Sequence, residues 1–179
     1  RLRAAGISEI AFDLIYGLPR QTVDGVERTV DLAAVLKPGR VALFGYAHVP
    51  WMKPHQQTLE RHGLPGGELR WAMAEAAAAR LEGHGYRRIG LDHFALQGDA
   101  MAQAAGVGTL RRNFQGYTTD QAETLLGFGP SAIARLRQGF VQAITDTAGW
   151  AKAVRAGELP AARGVAIDAD DRLRGRIIE

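Results

Sequence analysis

The chain of 179 residues contains no cysteine, and aromatic residues make up only 7% of it. The absence of cysteine excludes disulfides, thiolate nucleophiles and thiolate metal ligands from these residues. No apolar run approaches the roughly 20 residues that cross a bilayer. The first six residues also lack the apolar core of a secretion signal. We therefore expect a cytoplasmic protein without a membrane span.

The sequence also lacks a strong excess of positive or negative charge. The chain has 22 Lys and Arg against 19 Asp and Glu, a formal net charge of +3, and the basic residues are scattered. This balance is too mild to indicate a nucleic-acid partner. With 46% hydrophobic residues, the chain is long enough for one sizeable core, or for pieces of two domains.

The first part of the chain has the pattern strand, helix, strand. Residues 10–16 are an almost continuous apolar run, interrupted by Asp13 and ended by Gly-Leu-Pro, which predicts a strand buried on both faces. Thr22 can cap a helix that ends before residues 37–39, and residues 41–46 form a second apolar run. Short connections favour two parallel strands with a crossover helix, so the fold class is α/β.

The alternation then continues once more. Residues 48–67 hold prolines, glycines and histidines without a period, which indicates a long functional loop. Residues 68–82 predict a helix, and residues 86–94 a third parallel strand with Asp92 and His93 near its end. We assign residues 1–96 to β/α units of a larger barrel. Residues 97–179 form an appended region with a short strand at 140–144 and a helix at 147–156.

Three histidines in the long loop, His48, His55 and His62, recur every seven residues and would align on a helix. Pro50 and Pro54 make one continuous helix improbable there, so we predict no metal site in this chain.

Polar residues lie where α/β proteins build their sites. Asp13 within a buried strand is either capped by backbone amides or faces a ligand, and composition leaves the two alternatives equal. The runs 46–48 (YAH) and 91–93 (LDH) follow predicted strands. Because the carboxyl ends of parallel strands share one edge of a sheet, we expect these side chains to converge.

Two segments of the appended region are further candidates. Gly127-Phe128-Gly129 resembles a glycine loop before a helix N-terminus that could approach a polar ligand, although a plain turn is the favoured interpretation of two spaced glycines. Residues 111–119 combine guanidinium, amide and aromatic groups. Such a run suits a planar or carboxylate-bearing ligand, or it is a polar loop pinned by two aromatic rings.

The amino-acid sequences of four segments resemble those of a known family. Residues 12–19 (FDLIYGLP), followed by Gln-Thr, are similar to a segment of radical S-adenosylmethionine enzymes of porphyrin metabolism. Residues 45–50 (GYAHVP), 90–95 (GLDHFA) and 112–119 (RNFQGYTT) resemble the oxygen-independent coproporphyrinogen III oxidases. The resemblance implies the later part of a radical-SAM, partial TIM-type parallel β/α barrel, followed by the start of a mostly helical C-terminal region. On this expectation the chain is an internal fragment.

The resemblance also implies an activity for the full-length protein. The expected reaction is anaerobic oxidative decarboxylation of coproporphyrinogen III to protoporphyrinogen IX, driven by a 5′-deoxyadenosyl radical from S-adenosylmethionine. The expected cofactors are one or two S-adenosylmethionine molecules and a [4Fe-4S] cluster on cysteines that precede Arg1. An external electron donor supplies electrons, and the protein is expected to be a monomer. The fragment alone is expected to be inactive.

Carried over by motif, Asp13 would bind the ribose hydroxyls of S-adenosylmethionine, Ala47 would meet the same cofactor through its backbone, and Ile133 would also contact it. Arg111 and Arg112 would meet substrate carboxylates, and no residue is assigned as catalytic. Arg111 stands where the family usually has His, a departure that concerns the substrate contacts. The rival hypothesis is a heme chaperone of the same superfamily, which we expect to lack the run 113–119 (NFQGYTT).

Overall fold

The computed structural model describes residues 1–178. The chain divides into two compact units, Arg1–Leu110 and Arg111–Glu179, and each is described by itself. None of the helices within residues 1–178 has the length and apolarity needed to cross a membrane.

The first unit alternates strands and helices. Its elements are the 3₁₀ turn η1 (Arg3–Ala5), β1 (Ala11–Tyr16), α1 (Val23–Val35), β2 (Arg40–Gly45), the 3₁₀ turn η2 (Pro54–Gln56), α2 (Gln57–Glu60), α3 (Gly67–Gly83), β3 (Arg87–Arg88), β4 (His93–Ala95) and α4 (Ala100–Gly106).

The predicted β1-α1-β2 unit is confirmed. The two strands pair in parallel, from Ala11 opposite Arg40 to Tyr16 opposite Gly45. The hydroxyl oxygen of Thr22 accepts a hydrogen bond from the Gly25 N–H at 3.1 Å, so Thr22 is the predicted N-cap. The helix predicted over residues 68–82 is also confirmed as α3.

The predicted third parallel strand is wrong. Residues 86–94 contain two short strands, β3 and β4, which pair antiparallel with each other, and β4 pairs antiparallel with β2. The chain reverses over Gly90–Asp92, and the Ile89 N–H donates to the His93 carbonyl at 2.9 Å, which closes the turn. The sheet order is β1-β2-β4-β3, so within the described residues the sheet is open and not a closed barrel.

The core of the first unit lies on one face of this sheet. Helices α1 and α3 pack there with apolar side chains at three- and four-residue spacing. The buried cluster is completed by Tyr86, whose hydroxyl donates to the Pro38 carbonyl at 2.7 Å. Its members are Val26, Val30, Val41, Leu43, Met73, Ala77, Ala78, Leu81, Tyr86 and Phe94.

The prediction that β1 is buried on both faces is wrong. Leu14 and Tyr16 pack against the core, whereas Ala11, Asp13 and Ile15 are exposed. The physical reason is the position of β1 at the edge of the sheet, with both helices on the opposite face. Side chains alternate between the faces of a strand, so every second residue of β1 lies on the uncovered face.

The second unit contains more strand than expected. Its elements are β5 (Arg111–Asn113), β6 (Gly116–Thr118), β7 (Ile133–Leu136), β8 (Gly139–Ala143), α5 (Thr147–Arg155), β9 (Ala161–Ala166) and α6 (Ala169–Ile178). The predicted strand at 140–144 and helix at 147–156 are confirmed as β8 and α5. The α/β class is therefore confirmed, but the mostly helical character is corrected. Besides its two helices, the unit contains a β5-β6 hairpin and an antiparallel β7-β8-β9 sheet.

Candidate functional site

Side chains from three neighbouring strands lie in a row on the uncovered face of the first sheet. The strand register sets Asp13 beside Ala42, and Ala42 beside His93, so the three residues lie across neighbouring strands on one face. Ile15 is paired in the same way with Phe44. We call these five residues, Asp13, Ile15, Ala42, Phe44 and His93, the open face.

Asp13 is an exposed carboxylate at the centre of β1. It has no hydrogen-bond or ion-pair partner within residues 1–178, so the backbone-capping alternative is excluded for this part of the chain. A carboxylate has about four acceptor positions and can therefore receive two hydroxyl groups at once. Within residues 1–178 the acceptor positions of the Asp13 carboxylate are unfilled and open to solvent.

Apolar surface adjoins this carboxylate. Ile15 is 43% exposed and Phe44 is 39% exposed, and each is the second-to-last residue of its strand. The Phe44 ring meets the His93 ring edge to face, with the centroids 6.1 Å apart. A flat ring of a ligand would find stacking surface here next to a hydrogen-bond acceptor.

The Leu91-Asp92-His93 segment lies at this site, but its secondary structure differs from the prediction. It is the turn into β4, not the end of a parallel strand. The Leu43 N–H donates to the Asp92 carbonyl at 2.8 Å, which fixes the turn at the carboxyl half of β2. The His93 Nδ1 lies 2.7 Å from the Asp92 carboxylate, so the ring orientation is set by its neighbour.

The carboxyl ends of β1 and β2 are tied together. The Tyr46 N–H donates to the Tyr16 carbonyl at 2.7 Å, and the Arg70 guanidinium donates to the Tyr46 carbonyl at 2.8 Å. A Cβ on Gly45 would lie 3.0 Å from the Tyr16 hydroxyl and 3.2 Å from Arg70 Nη2. Glycine at this position therefore permits the close approach.

Ala47 follows directly and is exposed. Gln56 bridges this segment, because its side-chain amide donates to the Ala47 carbonyl at 3.2 Å and accepts from the Val49 N–H at 2.7 Å. The Ala47 N–H makes no hydrogen bond within residues 1–178, so it can donate to a ligand. This role of Gln56 was not predicted from the sequence, because nothing in the local pattern indicates a contact with Ala47, nine residues earlier.

The histidines of the long loop do not converge. His48 Nε2 lies 2.8 Å from Glu60, and His48 Nδ1 lies 3.5 Å from the Tyr46 hydroxyl. The loop contains η2 and α2 rather than one continuous helix, as the prolines predicted. Among residues 1–178, no group of three or more histidine or acidic side chains is arranged to hold a metal ion.

Ile133 begins β7 in the second unit, opposite Gln142. Residues 127–132 form a turn that leads into this strand, which is the plain turn that the sequence favoured over a glycine loop before a helix. A Cβ on Gly127 would lie 2.7 Å from the Ile133 carbonyl oxygen, a distance that no side chain tolerates. The glycine therefore serves a close backbone approach to Ile133, which favours the plain turn.

Arg111 and Arg112 lie on β5. Residues 113–116 are the hairpin turn, in which the Asn113 side chain accepts from the Gln115 N–H at 2.8 Å. The Arg112 guanidinium stacks over the Tyr117 ring at 5.5 Å, and Phe114 contacts Phe140 of β8. Both arginines line a cavity of about 610 Å³ that lies wholly within the second unit.

The predicted site residues therefore fall into two groups. Asp13 and Ala47 belong to the first unit, Asp13 in the middle of β1 and Ala47 just after the carboxyl end of β2. Ile133, Arg111 and Arg112 belong to the second unit. Their proposed functions remain predictions.

Comparison with known proteins gives relatives that match nearly the whole chain. Oxygen-independent coproporphyrinogen III oxidase of Bradyrhizobium diazoefficiens is 52% identical over 178 residues, 99% of this chain and 40% of that protein. The protein of the same name from Pseudomonas aeruginosa is 41% identical over 170 residues, 95% of this chain and 37% of that protein. No family model matches the chain.

A solved structure with a similar fold is also named a coproporphyrinogen III oxidase. Coproporphyrinogen III oxidase from Escherichia coli, described as a radical SAM enzyme, matches with a TM-score of 0.89 and 35% identity, over 98% of this chain and 40% of that one. The resemblance read from the motifs is thereby confirmed. The chain spans about 40% of the length of the relatives it matches.

Proposed function

We propose that this chain is part of a radical S-adenosylmethionine enzyme that converts coproporphyrinogen III to protoporphyrinogen IX without oxygen. Two propionate side chains would each lose carbon dioxide and become vinyl groups. The names of the relatives support the substrate and the reaction. The observation that carries the proposal within this chain is the unpartnered Asp13 carboxylate, which lies on the open face inside the FDLIYGLP motif.

The open face fits S-adenosylmethionine. A ribose presents two neighbouring hydroxyls, which match the acceptor positions of the Asp13 carboxylate. An adenine ring is flat and apolar on its faces, which suits the exposed surfaces of Ile15 and Phe44. The free N–H of Ala47 and its carbonyl provide backbone hydrogen-bonding groups near the strand ends.

When bound, S-adenosylmethionine supplies the 5′-deoxyadenosyl radical that removes a hydrogen atom from a propionate. In this proposal Asp13 orients the cofactor, and the Tyr16–Tyr46 and Arg70–Tyr46 hydrogen bonds hold the strand ends that carry Asp13 and Ala47. Such residues contribute by positioning, because a small misplacement of reacting groups costs rate steeply. Ile133 is proposed as a further contact on the strength of its motif alone.

The [4Fe-4S] cluster that a radical enzyme requires has no cysteine ligand among these 179 residues. We propose that the cysteines lie elsewhere in the full-length protein, and that an external electron donor reduces the cluster. A monomeric, cytoplasmic enzyme with one or two S-adenosylmethionine molecules remains part of the proposal. Arg111 and Arg112 are proposed to pair with substrate carboxylates, since a guanidinium can bind a carboxylate through two hydrogen bonds.

The test compares Asp13→Asn with a matched control, Glu82→Gln, in the full-length protein reconstituted anaerobically with iron and sulfide. Glu82 is an exposed carboxylate on α3 without an ion-pair partner within residues 1–178. Hydrogen bonds to a charged acceptor are worth about twice neutral ones, so we expect Asp13→Asn to weaken S-adenosylmethionine binding about tenfold or more. Isothermal titration calorimetry gives the Kd, and release of 5′-deoxyadenosine gives the cleavage rate.

The control should bind S-adenosylmethionine as the unaltered protein does. An unchanged Kd for Asp13→Asn would contradict the role of the open face. Tight heme binding by a protein that yields no porphyrin product would favour the heme chaperone instead. The run NFQGYTT at residues 113–119, which we expect such a chaperone to lack, supports the oxidase.

A further inference from the structure

The cavity of the second unit is lined by far more positive than negative charge. Its walls carry six arginines and two acids over a volume of about 610 Å³. Only two of the arginines were singled out in the sequence, because the others are scattered over 40 residues and show no local pattern. The six are Arg111, Arg112, Arg135, Arg137, Arg172 and Arg176.

Three parts of the fold bring these arginines together. Arg111 and Arg112 come from β5, Arg135 and Arg137 from β7 and the turn that follows it, and the last pair from α6. Arg172 and Arg176 are four residues apart and therefore share one face of the helix. Folding of the second unit thus concentrates cations that the sequence keeps apart.

Two of the six arginines have structural roles. Arg172 donates to the carbonyls of Arg137 and Ile167, both at 3.1 Å, and so joins α6 to the β7-β8 turn. Arg112 is stacked on Tyr117. These contacts explain why two guanidinium groups lie at the cavity wall without any ligand.

For three other arginines of the cavity, the side chain makes no polar contact within the described part of the chain that would explain its position. Arg111, Arg137 and Arg176 make no ion pair and no side-chain hydrogen bond within residues 1–178. Of the two acids that line the cavity, Asp120 accepts from the Ala122 N–H at 2.8 Å in its own turn. Like charges held around one cavity repel each other, and a bound anion relieves that repulsion.

We propose that this cavity binds the carboxylate groups of the tetrapyrrole substrate, with Arg111, Arg137 and Arg176 as the paired guanidinium groups. The proposal rests on the proposed function, because that function gives the ligand four carboxylates. The volume lies within the range of small-molecule pockets. Its polar lining suits the propionate edge of a tetrapyrrole better than the apolar ring. Arg137 and Arg176 are then substrate-binding residues in addition to Arg111, while Arg112 is held at the cavity wall by its stacking on Tyr117.

The experiment uses the full-length protein with the double substitution Arg137→Gln and Arg176→Gln. Arg172 is left unchanged, since its bonds hold the fold. The matched control is Arg174→Gln, which lies on the same helix, pairs with Asp170 at 2.7 Å and does not line the cavity. The probe is coproporphyrin III, the oxidised and fluorescent form of the substrate, and its Kd is measured by fluorescence titration.

We expect the double variant to bind coproporphyrin III at least tenfold more weakly and to show a raised KM for coproporphyrinogen III. The control should stay within twofold, and S-adenosylmethionine affinity should not change in either variant. Substitution of both residues by Lys should restore part of the affinity, because the charge returns without the forked geometry. The tetramethyl ester of coproporphyrin III should bind weakly to every form.

Several outcomes would overturn the proposal. They are an unchanged Kd in the double variant, an equal loss in Arg174→Gln, and an ester that binds as tightly as the free acid. Inorganic phosphate that binds the cavity as tightly as coproporphyrin III would identify a free-phosphate site instead. Failure of the proposed function is separate: the protein would bind coproporphyrin III through these arginines yet form no decarboxylated product.

Discussion

At the scale of single residues, Tyr86 shows how a buried polar group is accommodated. Its side chain is only 4% exposed, and its hydroxyl donates to the carbonyl of Pro38, which is fully buried. Burial raises the pKa of the Tyr86 phenol, because the charged phenolate is poorly solvated there. This hydrogen bond joins the segment after α3 to the segment before β2.

Replacement of Tyr86 by Phe should destabilise the protein by about 1–3 kcal/mol, because the buried Pro38 carbonyl would lose its partner. The measurement is the denaturant midpoint of the full-length protein at neutral pH. An unchanged midpoint would show that the Pro38 carbonyl finds another partner.

The same residue predicts a pH dependence. A phenol whose pKa is raised on folding contributes stability below its unfolded value of about 10, and that contribution is lost as the pH rises through the folded value. The loss of stability in alkaline solution should therefore be smaller in Tyr86→Phe than in the unaltered protein.

Asp13 illustrates what sequence reasoning can and cannot give at this scale. The acid within an apolar run was singled out because a buried carboxylate needs either a partner or a ligand, and its role stays a prediction. Its exposure was not predicted, since an edge strand with one covered face and a strand buried on both faces have similar apolar runs. The distinction depends on which elements cover the sheet, and those are distant in the sequence.

At the scale of elements, α1 and α3 are joined outside the core by a charged cluster. Asp31 of α1 accepts two hydrogen bonds from the Arg80 guanidinium, both at 2.7 Å, and lies 2.6 Å from His84 Nε2. Hydrogen bonds from Arg80, and then from His84, hold the pKa of the Asp31 carboxyl well below its usual range. The pair is bidentate, the geometry in which surface ion pairs contribute most.

Asp31→Asn should lower the Tm at neutral pH more than Asp170→Asn, which breaks one exposed pair within a single helix. Because the folded pKa is depressed, the contribution of Asp31 is present above the unfolded pKa of about 3.9 and is lost as the pH falls below that value. Tm values of both variants measured from neutral pH into acid provide the check. A Tm difference that persists unchanged at the lowest pH would contradict this origin.

The elements of the first unit were more predictable than those of the second. Apolar periodicity and the Thr22 cap suffice for α1, and the alanine-rich run for α3, because these signals are local. The β3-β4 hairpin was missed, although Gly90 within the apolar run was a turn signal. In the second unit β7 and β8 form a tight hairpin, with Leu136 opposite Gly139, whereas β9 pairs with β8 across α5, with Ala166 opposite Gly139. No local pattern reports that longer-range pairing.

At the scale of the whole molecule, the proposal assigns S-adenosylmethionine binding mainly to the first unit and substrate binding to the second. The first offers an acceptor and apolar surface for a nucleoside, and the second offers a cavity rich in arginine. The motifs predicted Asp13, Ala47 and Ile133 from resemblance, whereas Arg137 and Arg176 emerge only from the folded unit. Residues that act as part of a local motif are readable in sequence, and a cavity assembled from separate elements is not.

The most direct measurement is anaerobic turnover by the full-length protein, reconstituted with iron and sulfide and supplied with coproporphyrinogen III, S-adenosylmethionine and a reductant. The proposal predicts protoporphyrinogen IX, with two molecules of carbon dioxide released for each molecule of substrate. Cleavage of S-adenosylmethionine without any decarboxylated product, in a protein that binds heme, would contradict it.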